Sequence, residues 1–320
     1  MDQRDMGRLL VFTATYNERE NVRVLLSGIW KAAPRAHVLV VDDNSPDGTG
    51  ALLDSIAVCE PRLFIIHRHG KLGLGTAHHL AMLFALRNGY DTLVAMDADL
   101  SHDPVDIPKL VAGLAGADFV TGSRYMQGGS CDYSGYRFFV SKAANTAARF
   151  LLRLPLHEFT TSFRAFSVRR LADLDFTKMH NGGYSFFMES VFRLHQAGFR
   201  LAEAPIHFRD RTAGNSKIPR FEIVRGMRKL LHLAALRTLG QTMIRPSQPV
   251  TERCAGCCSN LVSAVASPPD NQMFKCMACG SVQPSGQVPE ISAPESTLVP
   301  AQGEDIPVRE DARKVGVRVA

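Results

Sequence analysis

Two carboxylates separated by one alanine, Asp97 and Asp99 in "VAMDADLSHDP" (94–104), are placed to hold a divalent cation. They follow a short apolar run, and hard oxygen ligands at this spacing suit Mg2+ or Mn2+ shared with the phosphates of a ligand. An Asp-x-Asp at a strand end is also a common turn, so its neighbours decide the reading. "DDNSPDGT" (42–49) follows its own apolar run, and its turn formers Asn44, Ser45, Pro46 and Gly48 expose further carboxylates. "HRHGKLGLGTA" (67–77) combines cations with Gly70, Gly73 and Gly75. Its backbone N–H groups and Lys71 can approach an anion ahead of a helix expected to begin at Thr76. The pairs His67/His69 and His78/His79 read as surface or packing residues rather than ligands, and no Ser-His-Asp or Cys-His constellation is present.

The elements that must carry these residues alternate. "RLLVFTA" (8–14), "AHVLVVDD" (36–43), "RLFIIHR" (62–68), "DTLVAMDAD" (91–99) and "ADFVTGSR" (117–124) are short runs rich in Val, Ile, Leu and Phe. Between them lie segments with helical spacing such as "ENVRVLLSGIWKAA" and "TAHHLAMLFALRNG", the latter ending on Gly89 as a C-cap. Strands alternating with helices predict an α/β fold with a mostly parallel sheet flanked by helices. Ligands of such sheets collect at the C-terminal strand ends, where "TYNE", "DDNSPDG", "DAD" and "GSR" all fall. Period-two alternation would turn Asp97 and Asp99 to one side of an extended chain.

The blocks "TYNERENV", "VVDDNSPDGT", "GKLGLGTA", "MDADLSHDP", "GSRYMQGG", "FTTSFRAF", "GYSFFME" and "APIHFRDRTAGNSK" occur in the order seen in the dolichol-phosphate (polyprenyl-phosphate) mannose synthases. The chain resembles that family from about residue 8 to residue 240. The resemblance implies a GT-A-type fold and inverting transfer of mannose from GDP-mannose to a polyprenyl phosphate. Carried over by position, Ala14, Tyr16, Glu18, Val41 and Asp43 correspond to nucleoside contacts. Asp97, Ala98 and Asp99 correspond to the Mg2+ or Mn2+ and diphosphate site, with Ser101 beside the metal. Arg124, Arg211 and Lys217 resemble the cations that meet donor and acceptor phosphates, with Lys71 joining them, and Asp99, Arg124, Arg211 and Lys217 are the expected catalytic set. Three positions depart from the pattern: Ala14 replaces a proline, Glu158 an aspartate, and Phe187 a glutamine beside Glu189. These bear on sugar recognition more than on the reaction, because a lipid monophosphate is already anionic and attacks without a general base.

The net charge is +6, and residues 200–245 hold ten Lys/Arg against three acids, so that stretch should meet something anionic. Within it, 220–239 places Ile223, Met227, Leu230, Leu231 and Ala234 on one helical face and Arg225, Arg228, Lys229 and His232 opposite, as in a helix lying on an anionic lipid surface or one packed on the sheet. No secretory leader and no uninterrupted apolar run of about 18 residues occurs, so the expected location is cytoplasmic and peripheral, at the inner face of a membrane.

Residues 1–245 form the expected glycosyltransferase domain and 246–253 a linker. "CAGC" (254–257) and "CMAC" (276–279) then pair two Cys-x-x-Cys knuckles, so Cys254, Cys257, Cys276 and Cys279 read as a closed structural Zn2+ site in a ribbon-like module over 254–284, which could also receive a protein partner. Residues 285–320 lack periodicity and read as a disordered tail. Two other readings stay open. The donor could carry glucose or UDP, or the chain could be an inactive nucleotide-sugar-binding scaffold. Nucleic acid is not an expected partner, because the basic stretch lacks interleaved aromatics.

Overall fold

The computed structural model describes residues 7–172, 174, 185–210 and 220–238, and the backbone of four further strands at 262–265, 273–276, 282–284 and 317–319. Strands β1 (Leu9–Thr15), β2 (His37–Asp42), β3 (Leu63–His67), β4 (Thr92–Ala95) and β5 (Phe119–Ser123) alternate with helices α1 (Val22–Ala32), α2 (Thr49–Ala57), α3 (Leu74–Arg87) and α4 (Ile107–Gly113). Then follow β6 (Ser130–Cys131), α5 (Gly135–Leu152), β7 (Arg164–Ser167), α6 (Val168–Leu171), α7 (Ser185–Gln196), β8 (Leu201–Pro205), β9 (His207–Phe208) and α8 (Arg220–Thr238). The remaining strands are β10 (Val262–Val265), β11 (Met273–Cys276), β12 (Val282–Pro284) and β13 (Val317–Val319).

The main sheet runs β13-β3-β2-β1-β4-β7-β5-β8, parallel except for β7 and the edge strand β13. Both faces are covered, which explains why its strands are continuous apolar runs. Leu10, Phe12, Leu39, Val41, Ile66, Leu93 and Phe119 face one side, against α3, α5, α7 and α8. Their sequence neighbours Leu9, Val11, Val38, Val40, Ile65, Val94 and Val120 face the other, against α1, α2 and α4. In α1 the buried residues Val22, Leu25, Leu26 and Ile29 recur at helical spacing. Helix α3 starts at Leu74, two residues earlier than expected, directly after Gly73 at φ 95°, and Gly89 ends it at φ 65°. β10, β11 and β12 form a separate antiparallel sheet, and β13 lies within the stretch expected to be disordered.

The spacing in α8 divides differently from the expected two faces. Leu230, Leu233 and Leu236 enter the main core, while Met227 and Leu231 are exposed. Lys229, expected on the polar face, reaches inward to Glu189 of α7 at 2.5 Å. The helix crosses two neighbours, α5 and α7, so its buried stripe is set by both.

His78 and His79 are buried packing residues. His78 meets Phe12, Phe186 and Phe187, with ring centroids 5.0–5.4 Å apart, and His79 meets Phe186 at 5.4 Å. Burial pushes His79 down to about 4 and His78 well below its ordinary value. The unfolded chain therefore takes up these protons first as pH falls. The stability they contribute is complete above about pH 6.5 and lost below it, at up to about 1.4 kcal/mol per pH unit for each histidine. Urea midpoints should hold steady above neutrality and decline from about pH 6.5 downward; midpoints unchanged down to about pH 5 would contradict neutral burial.

Candidate active site

Four turns meet at the C-terminal ends of β1, β2, β3 and β4. The first two interlock: Asn17 N donates to Ser45 Oγ at 3.0 Å, Glu18 N to Thr49 Oγ1 at 3.0 Å, and Arg19 N to Asp47 Oδ2 at 3.1 Å. Asp42 takes Thr15 Oγ1 at 2.9 Å and Ser45 Oγ at 2.6 Å, which closes the base of this pair of turns. Asn17 and Asn44, at φ 62° and 57°, adopt the left-handed conformation that asparagine tolerates. Tyr16 is left exposed at the rim, and Lys71 from the glycine-rich turn stands 3.5 Å from the centre of its ring. Two expected ligand contacts from different turns, distant in the sequence, thus come together.

Other expected contacts are placed otherwise. Val41 is buried among the core residues of β2 and Ala98 is buried too, so a ligand there would meet backbone; Ala14 packs on the core edge. Asp43 is bound by Arg68, which also donates to Thr76 Oγ1 at 2.6 Å. In the sequence Arg68 is only one cation of "HRHG"; its pairing depends on β2 and β3 being neighbours.

β4 ends at Ala95, so Asp97 and Asp99 lie in a turn beyond it, and strand alternation does not orient them. Leu100 takes φ 62°, and Ser101 donates through both N (3.1 Å) and Oγ (2.6 Å) to Asp99 Oδ1. Ser101 is fully buried and acts by aiming Asp99, whereas Asp97 remains partly exposed. Among the described residues no group of three or more His, Cys, Asp or Glu could enclose a metal ion. Two carboxylates in one turn fit Mg2+ or Mn2+ that ligand phosphates and water would complete, since such ions are held by one or two carboxylates plus phosphate.

Arg124, directly beyond β5, is committed internally. Its Nε and Nη2 form a fork with Glu158 at 2.7 and 2.8 Å, Nη2 also reaches Thr160 Oγ1 at 2.9 Å, and Nη1 reaches Tyr133 Oη at 2.7 Å. Four of its five N–H groups are thereby engaged among the described residues. Burial alone would push Glu158 up, but Arg124 and Thr160 hold it below the usual carboxylate value. Gly129 folds the following turn back onto this arginine: a Cβ there would lie 2.4 Å from Ser123 O and 2.8 Å from the Arg124 carbonyl carbon. Nearby, Arg137 of α5 pairs with Asp210 at 3.1 Å and lies 4.7 Å from the Tyr133 ring centre, a cation that the motifs did not single out.

Arg211 and Lys217 lie outside the described residues, as do Cys254, Cys257 and Cys279; Cys276 is described only as the last residue of β11.

A twisted, mostly parallel sheet carrying a paired-acid turn, a glycine-rich cationic turn and a buried arginine at one end defines a glycosyltransferase fold of the GT-A type. The Glycosyl transferase family 2 profile matches residues 10–174, just over half the chain, and the chain belongs to this family of enzymes. It is 41% identical over 230 residues to the polyprenol monophosphomannose synthase of Mycolicibacterium smegmatis, covering 71% of this chain and 87% of that protein. It is 39% identical over 212 residues to the undecaprenyl-phosphate mannosyltransferase of Micrococcus luteus, covering 66% and 87%. In fold it is similar to glucosyl-3-phosphoglycerate synthase from Mycobacterium tuberculosis, solved in complex with Mn2+, UDP and glucosyl-3-phosphoglycerate, with TM-score 0.52 and 18% identity over 73% of this chain and 82% of that one.

Proposed function

We propose that this enzyme transfers mannose from GDP-mannose to a polyprenyl phosphate. The observation that carries the reading is the turn in which Ser101 N and Oγ hold Asp99 near the partly exposed Asp97, in a chain 41% identical to a polyprenol monophosphomannose synthase. Tyr16, Glu18 and Lys71 hold the nucleotide end, and Asp97 and Asp99 orient the diphosphate. A divalent cation bound there, Mg2+ or Mn2+, supplies charge neutralisation to the leaving diphosphate. Arg124 adds its remaining N–H from a fixed position, and Arg211 and Lys217 meet the phosphates of donor and acceptor. The lipid phosphate oxygen, anionic at neutral pH, attacks the anomeric carbon from the face opposite the departing diphosphate, so the protein's work is alignment and charge stabilisation.

No helix among the described residues is long and apolar enough to cross a membrane. The acceptor is met at an anionic bilayer surface by the exposed sides of α5 and α8, two helices packed on each other, where Tyr136, Phe139 and Phe150 of α5 are 82%, 69% and 73% exposed and Met227 and Leu231 of α8 are exposed too. Lys142 of α5, Arg153 directly after it and Arg228 of α8 are also exposed and complement such a surface. Cys254, Cys257, Cys276 and Cys279 hold one structural Zn2+; the spacing of their two Cys-x-x-Cys pairs supports this.

The test is one preparation assayed three ways. GDP-mannose should outperform GDP-glucose, UDP-glucose and UDP-mannose with polyprenyl phosphate and Mn2+, with lipid-linked mannose identified by mass. Sedimentation with phosphatidylglycerol vesicles should fall on Phe139→Asp plus Phe150→Asp. Metal analysis should find one zinc. Preference for another donor, vesicle binding indifferent to the double substitution, or zinc well below one equivalent would each overturn the corresponding assignment.

A further inference from the structure

We infer that His102 is a positioning residue that fixes the Asp97–Ser101 turn against β9, the strand leading into Arg211. The inference rests on the reading of that turn as the diphosphate site. His102 is fully buried where three segments meet. Asp97 N donates to its Nδ1 at 3.2 Å, so Nδ1 is the acceptor and Nε2 carries the hydrogen donated to Thr161 Oγ1 at 3.1 Å. Thr161 Oγ1 also accepts from Phe163 N at 3.2 Å, within the segment that presents Glu158 to Arg124. The imidazole packs between Phe163 and Phe208, with ring centroids 5.1 and 5.3 Å away.

The backbone repeats the connection. His102 and Phe208 form an antiparallel bridge, Arg209 N donates to Ser101 O at 3.0 Å, and Arg209 pairs with Asp103 at 2.5 Å. Phe208 in turn lies 4.9 Å from the Arg124 guanidinium carbon. One neutral ring therefore links the Asp97 backbone, the Arg124 floor and β9. Neither Asp97 nor β9 is covalently near the other, so their registration depends on His102 and the short ladder beside it. Groups that orient ligating residues from behind alter metal affinity about 10–100-fold when removed.

Three substitutions separate the two ring nitrogens. In His102→Asn the side-chain oxygen falls near Nδ1 and retains the Asp97 bond; in His102→Gln the amide falls near Nε2 and retains the Thr161 bond. His102→Phe keeps the aromatic packing and loses both. Mn2+ affinity in the presence of GDP, read by electron paramagnetic resonance without turnover, should weaken about tenfold or more in the Gln and Phe variants and stay within about threefold of wild type in the Asn variant. Amide exchange at Asp97 and Arg209 should quicken in the Gln and Phe variants, and KM for the acceptor should rise in all three. Asn and Gln variants that behave alike, or exchange at Asp97 and Arg209 unchanged in the Phe variant, would overturn the assignment. Absence of Mn2+–GDP binding by the wild-type protein would instead count against the diphosphate reading, and the exchange measurement still decides the role of His102.

Discussion

Asp99→Asn is expected to lower turnover by about 10²–10³ while leaving the fold intact, the loss that follows removal of one electrostatic partner worth about 2.7–4 kcal/mol in the transition state. Asparagine is chosen because its oxygen can still accept from Ser101 N and Oγ, the two bonds that shape the turn at 3.1 and 2.6 Å. What disappears is the charge. On the proposed reading the cation then loses one of two carboxylate ligands, and raising Mn2+ should recover only a part of the rate because the leaving diphosphate would be less well neutralised. The check is kcat at saturating GDP-mannose and acceptor across a Mn2+ titration, with circular dichroism as the control for folding. Turnover near wild type at ordinary metal concentration would falsify the placement of the metal and diphosphate at this turn.

Glu158→Gln should be the most damaging single change to stability in the arginine cluster. Arg124 and Glu158 are both buried and joined through a two-bond fork, and Glu158 is itself held by Glu203, which accepts from the His157 and Glu158 amides at 2.7 and 2.8 Å. Breaking one partner of such a pair leaves an uncompensated buried charge and costs about 3–5 kcal/mol. At roughly 2–4 °C per kcal/mol for a domain of this size, the melting temperature should drop by about 10 °C. Glu158→Asp restores the charge with a shorter reach, so it should fall between the two.

The pH dependence adds a second reading. The folded-state pKa of Glu158 is depressed, so its stabilisation is present above about 4.5 and is lost as pH falls further. The Gln variant lacks that acid-side loss and should show a shallower decline below about pH 4.5 than wild type. Parallel acid profiles for the two proteins, or a melting temperature within a degree or two of wild type, would show that Arg124 finds its counter-charge elsewhere.

Much of this arrangement is written locally in the chain. Alternating residues of β1 and β2 divide between the two faces of the sheet, and turn formers mark where each strand stops, so the five strand ends and the acids beyond them follow from short-range pattern alone. Gly89 ends α3 for the same kind of reason, since a left-handed C-terminal residue is a local requirement. The identity of the partners is not local. Arg124 reads as a phosphate-binding cation, yet Glu158, 34 residues later, takes two of its donors because β7 inserts antiparallel between β4 and β5 and brings that segment alongside. Asp43 finds Arg68 across neighbouring strands, and α8 buries Leu230, Leu233 and Leu236 because two helices flank it at once. His102 carries no distinguishing mark within "DLSHDP"; it acquires one only where Asp97, Thr161 and Phe208 converge. Which surfaces are apolar and where the chain turns can be read from local pattern, because those depend on residues a few positions apart. Which charged and polar groups satisfy one another was decided by the tertiary structure, because a buried donor or acceptor is satisfied by whatever the strand order places within about 3 Å of it.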